Sequence, residues 1–174
     1  MRRAAILAML AASCSAQHLH LGLKGGIPLN DLVESRTPFS NRSSRWTLGP
    51  MLEIDLPLSL GLEMNALYRR LGYSAAEQQT TSSWELPLLL KYRFPGVLVR
   101  PYVGGGWVFR HIGDIPRLAA GSNGVAFSGG LTFSIAGARL APELRWTRWE
   151  SATAGPASAK GSRNQVEVLV GLSF

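Results

Sequence analysis

Apolar and polar residues alternate along most of this chain, in eight separate stretches. Successive side chains of a strand point to opposite faces, so a two-residue period predicts a strand with one greasy and one polar face. The first stretch, His18–Ile27, carries Leu19, Leu21 and Leu23 on one face, and the second, Arg45–Asp55, carries Trp46, Leu48, Leu52 and Ile54. The third, Leu60–Leu71, has Leu60, Leu62, Met64, Ala66 and Tyr68; the fourth, Ser83–Phe94, has Trp84, Leu86, Leu88, Leu90, Tyr92 and Phe94. Val99–Arg110, Gly124–Ile135 and Arg139–Trp149 follow, with Val103, Trp107, Phe127, Phe133, Leu144 and Trp146 among their apolar positions. In the last, Arg163–Phe174, Val166, Val168, Val170, Leu172 and Phe174 lie on one side, and Gln165, Glu167, Leu169, Gly171 and Ser173 on the other.

The connections alternate in length. Long ones cover residues 28–44, 72–82, 111–123 and 150–162; short ones lie at Leu56–Ser59, Pro95–Leu98 and Ala136–Ala138. Each stretch has the length a tilted strand needs to cross a bilayer, and long loops at one end with short turns at the other are what an outer-membrane barrel presents. The predicted fold is all-β: an eight-stranded, antiparallel, up-and-down transmembrane β-barrel over residues 17–174. A soluble barrel of the lipocalin kind has the same alternation with its faces exchanged. Aromatics near the ends of the apolar faces, including Trp46, Tyr68, Trp84, Tyr92, Trp107 and Trp146, favour the membrane version.

The first sixteen residues read as an export leader: Arg2 and Arg3, an uncharged apolar run Ala4–Ala12, then small residues up to Ala16. Lipid attachment at Cys14 is the rival reading. Cys14 is the only cysteine, so the processed chain has no disulfide and no cysteine metal site. The net charge of +7 falls to +5 when Arg2 and Arg3 are removed. Its basic residues are spread singly, without the clusters and interleaved aromatics of a nucleic-acid surface, so no nucleic acid is expected as a partner.

The stretches LGLKGGIPLNDL, GPMLEIDLPLSLGLEMNALYRRLGY, WELPLLLKYRF, RPYVGGGWVFR, APELRWTRW and QVEVLVGLSF resemble the outer membrane protein β-barrel domain family, the porin-like, OmpA-type small barrels. The final stretch, with Val166, Val168, Val170, Leu172 and a C-terminal Phe174, resembles the assembly signal that the barrel insertion machinery reads. The resemblance implies a bacterial cell outer membrane location. The family has no catalytic motif to carry over.

With the apolar face towards lipid, the inward positions include His20, Lys24, Glu53, Asp55, Glu63, Asn65, Arg69, Glu85, Lys91, Arg93, Arg100, Arg110, Glu143, Arg145 and Glu167. Unpaired charges in a narrow lumen are costly, so a paired network and a plugged interior are expected. Adjacent-strand pairing predicts Glu53 with Arg69, Glu85 with Arg69, and Glu167 with Lys24. Lys91 beside Arg100 would need an acid from elsewhere.

On the lipid side, Arg70 and Arg148 continue the faces of Tyr68 and Trp146 to the outer headgroup depth. Arginine binds phosphate with two parallel hydrogen bonds, so contact with outer-membrane lipid, lipopolysaccharide included, is expected, against a reading as simple snorkelling. His111, Asp114 and Ser122 in one long connection are the nearest approach to catalytic parts, and His18 with His20 the nearest to a metal pair. Neither is complete, so no enzyme, cofactor or metal is expected. The predicted role is structural, in envelope integrity, or interactional, with an extracellular ligand met through polar loops such as Asn30–Ser43 and Ser151–Ser162. The alternatives are a narrow channel for small solutes and a barrel-embedded hydrolase or acyltransferase.

Overall fold

The computed structural model describes residues 19–29, 46–74, 78–112, 123–135, 137–150 and 164–174. They form nine strand segments: β1 (Leu19–Pro28), β2 (Thr47–Asp55), β3 (Leu60–Asn65), β4 (Leu67–Ser74), β5 (Gln78–Arg93), β6 (Val99–Ile112), β7 (Asn123–Ile135), β8 (Ala138–Trp149) and β9 (Asn164–Ser173). All pairings are antiparallel, and β9 returns to β1, so the sheet closes into a barrel of eight staves.

Segments β3 and β4 are two halves of one stave, interrupted at Ala66. The cause sits opposite. Ala66 N–H donates to the carbonyl of Pro50 (3.1 Å), and proline has no N–H to return. The register carries through the break: Met51 faces Asn65 below it and Leu48 faces Tyr68 above.

The long connection expected over residues 72–82 is mostly strand. Leu71 pairs with Thr81, Gly72 with Thr80 and Tyr73 with Gln79, so β4 and β5 rise together beyond the other staves. Threonine and tyrosine suit a pleated backbone, and their lack of strict alternation hid the strand. The leader over residues 1–16 with Cys14, residue His18, and the polar loops 30–45 and 151–163 lie outside the described residues.

The faces are assigned by burial. Along β9, Gln165, Glu167, Leu169, Gly171 and Ser173 are buried, while Val168, Val170, Leu172 and Phe174 are exposed. The greasy side chains point out and most ionic ones point in, the reverse of a water-soluble barrel.

Following strand partners around the wall fixes the size. Leu19 faces Ile54, which faces Leu62, then Leu90, Gly105, Phe127, Trp146 and Val166. The circuit returns to β1 at Leu29, whose N–H bonds the Val166 carbonyl (2.7 Å), ten residues above its start. A stagger of ten over eight staves gives a tilt of about 40° and a backbone radius of about 8 Å. Side chains can fill a cylinder of that width.

Candidate functional site

The lumen is built in three tiers. The middle tier brings Lys24 from β1, Glu63 from β3, Lys91 from β5, Tyr102 from β6, and Glu143 and Arg145 from β8 to one depth, none more than 3% exposed. Lys24 Nζ donates to Glu63 Oε1 (2.6 Å) and to Glu143 Oε2 (2.8 Å). Arg145 bonds Glu143 Oε1 through Nε (3.0 Å) and Nη2 (2.7 Å). Lys91 bonds the other oxygen of Glu63, and its ammonium lies 4.2 Å from the Tyr102 ring centre. Tyr102 Oη and Asn65 Nδ2 add donors to Glu143 (2.8 Å) and Glu63 (2.7 Å). Three cations thus surround two carboxylates whose lone pairs are nearly all used, the condition under which buried ions are tolerated.

The tier towards the short turns holds Glu53, Asp55, Arg93, Arg139 and His20. Arg139 forks onto Asp55 with 3.2 and 3.0 Å bonds, while Arg93 bonds Glu53 and lies 2.7 Å from Asp55. His20 Nε2 lies 3.3 Å from Asp55 Oδ2.

The tier towards the long connections holds Arg69, Glu85, Arg110, Gln165 and Glu167. Arg69 bonds Glu167; Arg110 bonds Glu85 (3.0 Å) and Gln165 (2.6 Å), and its guanidinium carbon lies 3.4 Å from the Trp149 ring centre. Arg69 Nε and Nη1, Ser83 Oγ, Arg110 Nε, Gln165 Nε2 and Glu167 Oε2 have no partner among the described residues. This tier therefore has spare polar capacity that buried water satisfies in other proteins. Beside it, Leu89, Val108, Ala126 and Trp149 form an apolar wall inside the lumen.

The pairing differs from the adjacent-strand expectation. Glu53 joins Arg93 rather than Arg69, Arg69 joins Glu167, Glu85 joins Arg110, and Lys24 joins Glu63 and Glu143 rather than Glu167. In a cylinder this narrow, long side chains reach across a stave or the lumen as easily as to the next strand. Arg100 is a correction. It is exposed beside the Pro95–Leu98 turn and donates to the Gly96 carbonyl (2.8 Å), outside the buried tiers. Gln165 lies on the inward face expected of it, while Arg139, Tyr102 and Trp149 were not anticipated. Strand parity gives Arg139 the same inward phase as Glu143, whereas Tyr102 and Trp149 are aromatic and carry no charge to mark them as partners of ions.

His111 is exposed on β6, and Asp114 and Ser122 lie outside the described residues. Arg70 and Arg148 are exposed on the outer wall. They stand on β4 and β8, four staves apart in a ring of eight, so they cannot share one ligand. Arg70 pairs with Ser82 near the tilted Tyr68–Trp84 ring pair (5.2 Å). Arg148 faces Val125, which faces Trp107.

Among solved structures, Neisserial surface protein A superposes with a TM-score of 0.55, at 12% identity, covering 91% of this chain and 98% of that one. The fold is that of a small outer-membrane β-barrel. The N-terminal β-barrel domain of Pseudomonas aeruginosa OprF also aligns, at 18% identity and a TM-score of 0.46, over 90% of this chain and 97% of that domain. No protein-family model and no curated protein matches the chain. The closed barrel keeps the apolar band on its outer wall and the three tiers in its interior.

Proposed function

We propose that this chain is a bacterial outer-membrane barrel of the OmpA-type kind, non-enzymatic, closed to solutes, with a structural role in the envelope or a surface role exercised through its long connections. The observation that carries this reading is the middle tier. Five ionised side chains from four staves cross-link at the waist of an 8 Å-radius cylinder (about that value from its stagger), and all are 3% exposed or less. A solute would have to part several buried ion pairs at once, and separating even one leaves uncompensated charge in a poorly hydrated space.

The membrane placement is supported by the outer wall. Leu21 is 61% exposed, Phe127 59% and Leu144 53%, within a band of similar residues around the barrel. Soluble monomers rarely expose contiguous apolar surface of this extent. Exposed Tyr92 and Phe94 near the turn end, and Trp46, Trp84 and Trp107 near the other, are placed as interfacial girdles are. The assembly signal at Val166, Val168, Val170, Leu172 and Phe174 belongs to the same reading, with the insertion machinery as its partner.

The test is reconstitution into lipid vesicles and planar bilayers. The expected result is detergent-dependent solubility, insertion with the folded-barrel gel shift, and no steady ionic current. A sustained current typical of a water-filled passage overturns the closed interior. A processed chain that stays monodisperse without detergent overturns the membrane placement.

A further inference from the structure

A cleft of about 340 Å³ opens on the outer wall near the long-connection end of β6, β7 and β8, lined by Trp107, Asn123, Val125, Arg148 and Glu150 among others. Its shape follows from side-chain size. Trp107, Val125 and Arg148 stand in one cross-strand row, so a short residue sits between two long ones and leaves a notch. Trp107 is 64% exposed, the most open tryptophan among the described residues.

The notch is chemically graded along the barrel axis. Two positions down the strands lie Phe127 and Trp146, stacked at 5.9 Å, and then Leu144, all on the outer wall. In the notch itself stands Arg148, which has no acid within ion-pair distance among the described residues. Two positions up is Glu150, on the same side of the chain, its N–H tied to the Asn123 carbonyl (2.9 Å). From hydrocarbon to water the order is therefore apolar stack, cation, anion. Two strand residues span about 7 Å, so the two charges can meet the two ends of a short zwitterion.

We infer that this cleft binds a membrane lipid with an aminophosphate headgroup, its phosphate on Arg148, its ammonium towards Glu150 and one acyl chain along Phe127 and Trp146. Arginine's planar fork suits a phosphate diester, and the neighbouring indole covers the methylenes next to it. Glu150 disfavours a headgroup that carries only negative charge. Arg70, on the opposite wall, does not line this cleft. The inference rests on the membrane placement proposed above.

The experiment is native mass spectrometry of the folded barrel released from detergent micelles doped with one lipid at a time. The probes are phosphatidylethanolamine, phosphatidylglycerol with the same chains, the matching diacylglycerol, and free phosphoethanolamine. Wild type is expected to retain phosphatidylethanolamine at least fivefold over phosphatidylglycerol and to retain neither diacylglycerol nor the free headgroup. Arg148→Gln lowers phosphatidylethanolamine retention at least fivefold, Glu150→Gln removes the preference over phosphatidylglycerol, and Arg70→Gln changes retention less than twofold. Unchanged retention in Arg148→Gln, equal retention of diacylglycerol, or equal binding of free phosphoethanolamine overturns the inference. Each variant is checked for the folded-barrel gel shift and vesicle insertion. A barrel that inserts but binds without discrimination sinks the cleft alone, whereas failure of wild type to insert sinks the membrane placement.

Discussion

Lys24 Nζ lies 2.8 Å from Glu143 Oε2, although 119 residues of sequence and the whole of β9 separate them. The contact exists only because the barrel is closed. Lys24→Met leaves Glu63 and Glu143 each one cation short in a buried interior, and breaking a buried pair costs about 3–5 kcal/mol. Adding Glu143→Gln to it should recover part of that loss, since fewer charges remain unmatched. Urea unfolding of the refolded barrel in micelles measures both. A Lys24→Met variant within about 1 kcal/mol of wild type would show that the middle tier is hydrated and loosely held.

Glycine is required where staves approach closely. A Cβ on Gly49 would lie 1.7 Å from the Ala66 carbonyl oxygen, and one on Gly26 would lie 2.0 Å from that of Val168. Backbone cannot yield cheaply, so Gly49→Ala and Gly26→Ala should cost about 3 kcal/mol or more and lower the yield of the heat-shifted, folded band. At Gly25 the nearest atom is the side-chain end of Leu48 (2.9 Å), which can turn aside, and the nearest backbone atom, the Thr47 carbonyl oxygen, stands farther off at 3.2 Å. Gly25→Ala should fold with near-normal yield, and equal damage at all three positions would refute the geometric argument.

Trp149 serves the tier towards the long connections twice, as a ring under Arg110 and as an Nε1–H donor to Gln165 (3.0 Å). Trp149→Phe keeps a ring and loses the donor, a cost of about 1 kcal/mol. Trp149→Leu also loses the cation–ring contact, worth about 2 kcal/mol when desolvated. Chemical denaturation should rank the three proteins in that order. Equal stability of the Phe and Leu variants would mean that the Arg110 contact contributes nothing.

The outer wall can be probed by depth. Leu144 stands midway along β8 and Leu140 near its turn end, both exposed. In lipid, Leu144→Arg should cost about 2–4 kcal/mol and Leu140→Arg about 0–1 kcal/mol. Unfolding from vesicles supplies the comparison, and a flat response to position would argue against a bilayer around this wall.

Phe174 bonds Leu21 through its backbone in both directions (2.9 and 3.2 Å), while its ring is 68% exposed. Phe174→Ala keeps those bonds and removes only the ring. Refolding in detergent should proceed at near wild-type yield, while accumulation in cell membranes falls severalfold, as read by quantitative blotting. Equal membrane accumulation would mean that the ring is no part of an assembly signal.

The period-two pattern made the staves, their order and their facing legible in the chain, because inward and outward environments differ so sharply that each position must choose. Less legible was where strands end. Residues 72–82 read as a loop because neither face of that extension alternates, although cross-strand hydrogen bonds hold it as Leu71–Thr81 and Tyr73–Gln79. The interior ion partners were harder still. Parity places Glu53 and Arg93 on the same side of the wall, yet the choice between Arg93 and Arg69 depends on stagger and side-chain reach, which only the closed cylinder defines. Arg100 shows the limit of parity: it has the inward phase, but it sits at the turn, where there is no lumen left to enter.

The climb of ten residues per circuit, from Leu19 to Leu29, is an integer property. Inward and outward positions alternate, so a mispaired hairpin can slip only by two residues without turning greasy side chains inside. A circuit of eight or twelve would change the radius by roughly 0.7 Å and carry Lys24 away from both its acids. Errors of alignment therefore do not yield a slightly looser version of this molecule; they yield one whose charges no longer match, and the chain has a single dimension at which its contents fit its container.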